Sequence, residues 1–207
     1  MILLHRLSRI AAACLALLVS GAGSEAAAQT LRFSTVVIDA GHGGKDGGSV
    51  WNGLIEKKLC LDVAKRVEAG LKSRGLKTVM TRRTDTFVEL EQRARLANRV
   101  PTSVFVSIHF NGSRTTLISG GEAYYRSSRG KILASAISRS IKSRVTGGSR
   151  GIFYADYKVL RATQMPAVLV ECGYISNKRE ARRCADPVHR QKLADAIVSG
   201  LLAARGR

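Results

Sequence analysis

Three apolar, β-branched runs in this chain each give way to turn residues at a side chain able to bind a metal. The first is Val36 Val37 Ile38 Asp39 Ala40 Gly41 His42 Gly43 Gly44. Val36 to Ile38 read as a buried strand of the parallel type, apolar on both faces. The glycines that come next permit a sharp turn and a close backbone approach. The second run, Ser103 Val104 Phe105 Val106 Ser107 Ile108, leads to His109, and the third, Pro166 Ala167 Val168 Leu169 Val170, leads to Glu171. In an open parallel sheet equivalent strand ends lie side by side and form the ligand-binding edge. A carboxylate buried there is costly unless it is paired or neutralised. Two imidazoles and a carboxylate converging on one edge therefore suggest a metal ion.

Hydrolytic zinc sites use three protein ligands and keep one position open. Glu56 is the best further candidate. It stands in Asn52 Gly53 Leu54 Ile55 Glu56 Lys57 Lys58, immediately before a helical stripe of Leu59, Val63, Val67 and Leu71. A carboxylate in a first helical turn also suits the macrodipole, and spacing alone favours that ordinary role for Glu56.

Strands expected at Thr35–Ile38, Lys77–Met80, Ser103–His109, Glu122–Tyr125 and Ala167–Val170 alternate with helices. These are expected at about Glu56–Arg74 (closed by Gly75), Leu90–Arg99 and Lys131–Arg144, with a last one carrying Leu193, Ile197 and Leu201. The alternation predicts an α/β fold: a single domain with a mostly parallel twisted sheet and helices on both faces.

Residues 1–28 read as a secretory signal peptide. Arg6 and Arg9 precede an apolar stretch, Ile10 to Val19, that is too short to span a bilayer, and Ala26 Ala27 Ala28 offer a cleavage site before Gln29. A retained anchor is the alternative. The catalytic domain would be residues 29–207, with no stable membrane span once the leader is removed. Cys60, Cys172 and Cys184 then remain, an odd number that argues against a disulfide framework.

The formal charge is +19, and loss of Arg6, Arg9 and Glu25 with the leader lowers it by one. Such an excess favours anionic partners. Nucleic acid is not expected, because no basic-aromatic motif supports it and export opposes it. Arg126, Arg129, Lys142, Arg144 and Arg150 read as a solvated helix flank. Lys158 and Arg161 either hold a substrate carboxylate or are plain surface charges. Asn111 and Asn177 read as loop-shaping residues, and Thr81 to Asp85 as a loop brace. Trp51 stacks on a ligand or packs its loop. His189, in a basic polar stretch after Pro187, is expected to be exposed.

The ordered set of segments resembles the zinc-dependent N-acetylmuramoyl-L-alanine amidases of the amidase type 3 class. The pieces are Ile38–Gly44, Gly53–Lys57, Thr81–Asp85, Arg93–Asn98, Ser107–Asn111, Gly121–Tyr125 and Leu169–Asn177. Cys172 and Tyr174 depart mildly from the family pattern. The resemblance implies one zinc ion held by His42, Glu56 and His109, with Glu171 as the catalytic glutamate. It implies peptidoglycan as substrate, cut between N-acetylmuramic acid and the L-alanine of the stem peptide, in the periplasm or cell wall of a bacterium. The competing readings are another exported zinc peptidase acting within the stem peptide and a non-catalytic wall-binding relative. The motif order argues against the first, and the presence of all four site residues argues against the second. Some relatives carry a long blocking helix after the second histidine. Only about ten residues separate Asn111 from Gly121 here, too few for a helix and its connections. No built-in blocking helix is expected, and no activator should be needed.

Overall fold

β1 (Thr35–Ala40) is buried along its whole length, as an apolar run without polar alternation requires of a central parallel strand. In the computed structural model, which describes residues 30–206, it pairs in parallel with β4 (Lys77–Met80) on one side and β5 (Ser103–Asn111) on the other. β5 pairs in parallel with β8 (Ala167–Tyr174), placing His109 opposite Glu171. β6 (Gly121–Tyr125) runs antiparallel to β8 and parallel to the edge strand β7 (Ser149–Tyr154). The strand order is β4-β1-β5-β8-β6-β7, so the sheet is mostly parallel, as expected. The expected leader lies outside the described residues.

Helices cover both faces. α1 (Glu56–Lys72), α3 (Ser128–Arg144) and α6 (Pro187–Ala204) bury Leu71, Ile137, Ile141, Leu193 and Ile197 with Val36 and Ile38 in the larger core. On the opposite face α2 (Leu90–Asn98) and the short α4 (Lys158–Ala162) close a smaller core around Val37, Phe105 and Leu169. α5 (Lys178–Ala185) begins where the Asn177 side chain accepts hydrogen bonds from the Arg179 and Glu180 amides. Cys60, Cys172 and Cys184 are free and buried. Among the described residues no helix is long and apolar enough to cross a membrane.

The structure departs from the sequence expectations in a few places. His189 is buried, not exposed. Asp186 caps α6 and Pro187 opens it, so His189 stands one turn before Leu193 on the inward stripe. β5 and β8 run on past His109 and Glu171 to Asn111 and Tyr174. A small hairpin of β2 (Val50–Trp51) and β3 (Leu54–Ile55) precedes α1. Its Asn52-Gly53 turn has positive φ at both residues (50° and 77°), the pairing that two-residue hairpins favour.

Glu68 joins α1 to the segment after β4. Its carboxylate accepts from both terminal nitrogens of Arg83 at 2.6 and 2.7 Å and from Thr78 Oγ1 at 3.1 Å, and Lys72 lies 3.0 Å away. The Arg83 hydrogen bonds, with lesser help from Lys72 and Thr78, overcome burial and lower its pKa to about 2. A depressed folded-state value stabilises above the unfolded pKa, and that contribution is lost as pH falls toward 2. Glu68→Gln should therefore cost about 1 kcal/mol at neutral pH, since Arg83 is half exposed. Urea melts of the two proteins should converge as pH approaches 2; a constant gap at all pH values would contradict this assignment.

Candidate active site

The turn after β1 organises the strand-end edge of the sheet. The chain bends at Ala40–Gly44 and leaves the carbonyls of Ala40, Gly41 and His42 without sheet partners. Two buried arginines supply the donors. Arg82 Nε donates to Ala40 O at 2.9 Å and its Nη2 to Gly41 O at 2.6 Å. Arg93 Nη1 donates to Ala40 O at 2.7 Å and its Nη2 to His42 O at 2.8 Å. Arg93 also pairs with buried Asp39 at 2.8 Å, whose carboxylate accepts from Thr81 and Ser107 at 2.6 Å each. Burial alone would raise the Asp39 pKa, but the Arg93 charge and the two hydroxyls hold it below its ordinary value. The Thr81–Asp85 segment thus braces a loop, as expected: Asp85 accepts from Gly44 N and Lys57 Nζ, each at 2.8 Å.

This turn holds His42 in a left-handed backbone conformation, φ 58°. A non-glycine residue there is strained, and such strain collects at functional sites. Its Nδ1 lies 2.8 Å from Asp46 Oδ2, which leaves Nε2 pointing at Glu56 Oε1, 3.0 Å away. His109, from β5, places Nδ1 at 2.9 Å from the same oxygen. Glu56 is buried at the first position of α1, where Oε1 also accepts from Phe110 N at 3.2 Å and Oε2 from Ser49 N at 2.7 Å. Burial would raise its pKa, yet the contacts from His109 and His42 drive it well below the carboxylate range. The three ligand atoms lie within 4.8 Å of one another.

Two observations show that this set fits a metal ion. Imidazole nitrogens and a carboxylate are the donors that zinc takes, with Asp46 as the outer carboxylate that orients one imidazole. The cradle also has no spare room. A Cβ at Gly41 would stand 2.4 Å from the His109 ring, and one at Gly48 would stand 2.6 Å from both Glu56 Oε2 and the His42 ring.

Glu171 completes the edge. Its Oε2 is buried and has no hydrogen-bond partner among the described residues. Burial, then the charges of Glu56 and Glu122, push its pKa well above the usual range. It lines a cleft of about 600 Å³ with His42, Glu56 and His109, and Phe87, Leu90 and Tyr157 line the same cleft. All four expected site residues therefore meet in one place. Of the other candidates, Asn111 and Lys158 also line the cleft, each held by a partner. Lys158 pairs with Glu91 and Arg161 with Asp156 at 2.5 Å. Trp51 packs over Gly112. Asn111 bonds Glu122 at 3.3 Å, and Asn177 caps α5. Sequence reasoning passed over Asp46, Arg82 and Arg93 as site residues. Asp46 was detectable only as a carboxylate four positions after a turn histidine.

A His-Glu-His cradle beside a glutamate with one buried, partnerless oxygen, at the strand-end edge of an α/β sheet, is a constellation of the metal-hydrolase class. Comparison with known proteins narrows the class. Residues 36–203 match the amidase type 3 family model, described as N-acetylmuramoyl-L-alanine amidase. The chain is 40% identical to YqiI of Bacillus subtilis over 84% of this chain and 86% of that one. It is 36% identical to the N-acetylmuramoyl-L-alanine amidase LytC of the same organism, over 80% of this chain but only 34% of LytC. The catalytic domain of CwlV, an N-acetylmuramoyl-L-alanine amidase from Bacillus (Paenibacillus) polymyxa, superposes with a TM-score of 0.79 at 40% identity, covering 83% of this chain and 97% of that one. AmiC2 of Nostoc punctiforme gives 0.79 at 40%, covering 82% and 95%. The chain belongs to the N-acetylmuramoyl-L-alanine amidase family.

Asp46→Ala should weaken divalent-metal binding about 10- to 100-fold without unfolding the domain. Competition against a chelator measures this, and an unchanged affinity would remove Asp46 from the site.

Proposed function

We propose that this chain hydrolyses the amide bond between N-acetylmuramic acid and the L-alanine of the peptidoglycan stem peptide. One zinc ion would be held by His42, Glu56 and His109, with Glu171 as general base. The observation that carries the reading is the convergence of those three ligand atoms within 4.8 Å in the same cleft as a buried carboxylate oxygen with no partner. Zinc held in this cradle would supply Lewis acidity toward a water and the amide carbonyl. The Glu171 carboxylate accepts the proton of the attacking water and returns it to the departing nitrogen. Asp46 holds the His42 ring with Nε2 toward Glu56 Oε1, where it could serve as a ligand. Phe110 N and Ser49 N fix both oxygens of Glu56, so the ligand carboxylate cannot swing into the cleft. The alternative in which Glu56 merely starts a helix loses ground, because both its oxygens are engaged with the cradle.

Residues 1–28 are proposed as an export leader, which puts the activity in the periplasm or cell wall, where the substrate is. The β5–β6 connection, residues 112–120, holds turn and irregular backbone. On that basis the purified chain should act without an activator.

Digestion of peptidoglycan followed by mass spectrometry tests the reaction: glycan freed of peptide supports it, whereas shortened stems still attached to glycan indicate a peptidase instead. Glu171→Gln should keep zinc and lose about 10²- to 10⁴-fold in turnover. His42→Ala and His109→Ala should lose bound metal as well as activity. Full turnover by the Glu171 variant would eliminate this base.

A further inference from the structure

Beyond Glu171 the same face of the sheet runs on through β6 to β7. Residues directly opposed across a strand pair share a face. Glu122 opposes Glu171 and Tyr124 opposes Leu169, while on the next strand Gly151 opposes Glu122 and Phe153 opposes Tyr124. All of these sit on the cleft side of the sheet; α3 packs against the other side through Ala123 and Ile137. Phe153 is exposed, and a Cβ on Gly151 would meet nothing within 4 Å. The floor of this stretch is buried at Leu169 and Glu122 and half-covered at Tyr124, and it opens into a shelf at β7.

One cation is built into this shelf. The β6–β7 register shifts between Gly121 and Glu122, which leaves Arg150 as the extra residue of a bulge. Bulges next to active sites re-aim a side chain. Here the bulge turns Arg150 toward Glu122, and its Nε donates to Glu122 Oε1 at 2.7 Å. Glu122 is itself fixed. Its buried Oε2 accepts from Tyr124 OH at 2.6 Å, Tyr174 OH at 3.0 Å and Asn111 Nδ2 at 3.3 Å. The Arg150 side chain remains 43% exposed, and its two Nη groups make no hydrogen bond among the described residues. An arginine oriented through Nε with both Nη groups free presents a fork suited to a carboxylate. The chain has no Asp or Glu between Glu122 and Asp156, so nothing of its own sequence there competes for the fork.

We propose that Arg150, aimed by Glu122, binds a carboxylate of the stem peptide, which leaves the metal cradle and crosses this face of the sheet from β8 to β7. This rests on the amidase reading above. Charge selects the peptide over the glycan as occupant: the lactyl carboxyl is consumed in the scissile amide, while the stem carries further carboxylates. Distance agrees. Two strand spacings amount to about 10 Å, and an extended peptide covers that in about three residues. The recognised carboxylate therefore belongs to the second or third stem residue. Arg150 is a specificity residue and Glu122 its positioning residue; neither is assigned a role in bond cleavage.

The test uses soluble muramoyl peptides with the carboxylate of the second or of the third residue either free or amidated. Arg150→Ala should raise KM about 10- to 100-fold on the free form and leave kcat nearly unchanged, the size expected for losing a charged hydrogen bond. Amidating the recognised position should cost the native protein the same factor and cost Arg150→Ala nothing more; the position at which this happens identifies the residue bound. Arg139→Ala, on the opposite face of the sheet, should match the native protein. A second readout needs no turnover: isolated stem tripeptide titrated into metal-free protein should bind more weakly to Arg150→Ala by a similar factor. Glu122→Gln should reproduce most of the loss, and if it does not fold, half-exposed Arg150 still decides the matter. Equal losses on free and amidated substrates, a fall in kcat alone, or weakened binding of peptide-free glycan instead of peptide would each overturn the proposal. A native protein that frees no peptide from muramic acid would sink the amidase reading instead, and the metal-free titration would still judge Arg150.

Discussion

The buried pairing of Arg93 with Asp39, reinforced by Arg82, is the interaction on which the catalytic edge depends. A parallel strand that stops inside a protein leaves carbonyl groups with no strand to accept them, and each costs free energy if left unpaired. Here two guanidiniums supply four hydrogen bonds to three successive carbonyls, those of Ala40, Gly41 and His42. Removing one partner of a buried ion pair typically costs about 3–5 kcal/mol, a large part of the roughly 5–15 kcal/mol by which a domain is stable. The pair is therefore as much a condition of folding as of activity. It also fixes the backbone from which His42 projects, in a conformation that residue would not adopt unaided.

From that anchor the other groups are placed by sheet geometry. β5 lies beside β1 and β8 beside β5, so His109 and Glu171 arrive in register as direct neighbours. Glu56 comes from elsewhere, at the head of α1 after a two-residue hairpin turn. Its position is secured by the Ser49 and Phe110 amides rather than by the sheet. The site thus combines two residues held by strand register with two delivered by tight turns, and the tolerance at the turns is set by Gly41 and Gly48, where a single added carbon would collide with a ligand side chain.

The strands that carry His109 and Glu171 were legible because buried parallel strands read as continuous apolar runs. The long helices α1, α3 and α6 were legible from their stripes. The hidden parts share a physical reason. β7 has the sequence SRGIFY, half exposed and interrupted by glycine, so it shows neither alternation nor a continuous apolar run. α4 spans only five residues, too few for a periodic pattern. The Asn52-Gly53 signal was present but its flanking strands were two residues each. His189 misled because its neighbours are polar, whereas burial was decided by where the Asp186 cap starts the helix. In the site, residue types indicated the ligands. The family likeness was needed to separate Glu56 from Glu171, because local spacing cannot say which carboxylate crosses the fold to meet two imidazoles. Arg82 and Arg93 were invisible as site residues, since a buried guanidinium saturating carbonyls looks like any surface arginine in a sequence.

The bulge that turns Arg150 inward has an effect on the outer side of the sheet as well. β7 is an edge strand, and a flat edge with Phe153 and Tyr154 exposed would invite a strand from another molecule to add itself. An extra residue and the positive φ of Gly151 interrupt the even spacing of amides and carbonyls that such addition needs. The irregularity thus protects the molecule from edge-to-edge self-association, which matters for a protein with aromatic rings left open along one border.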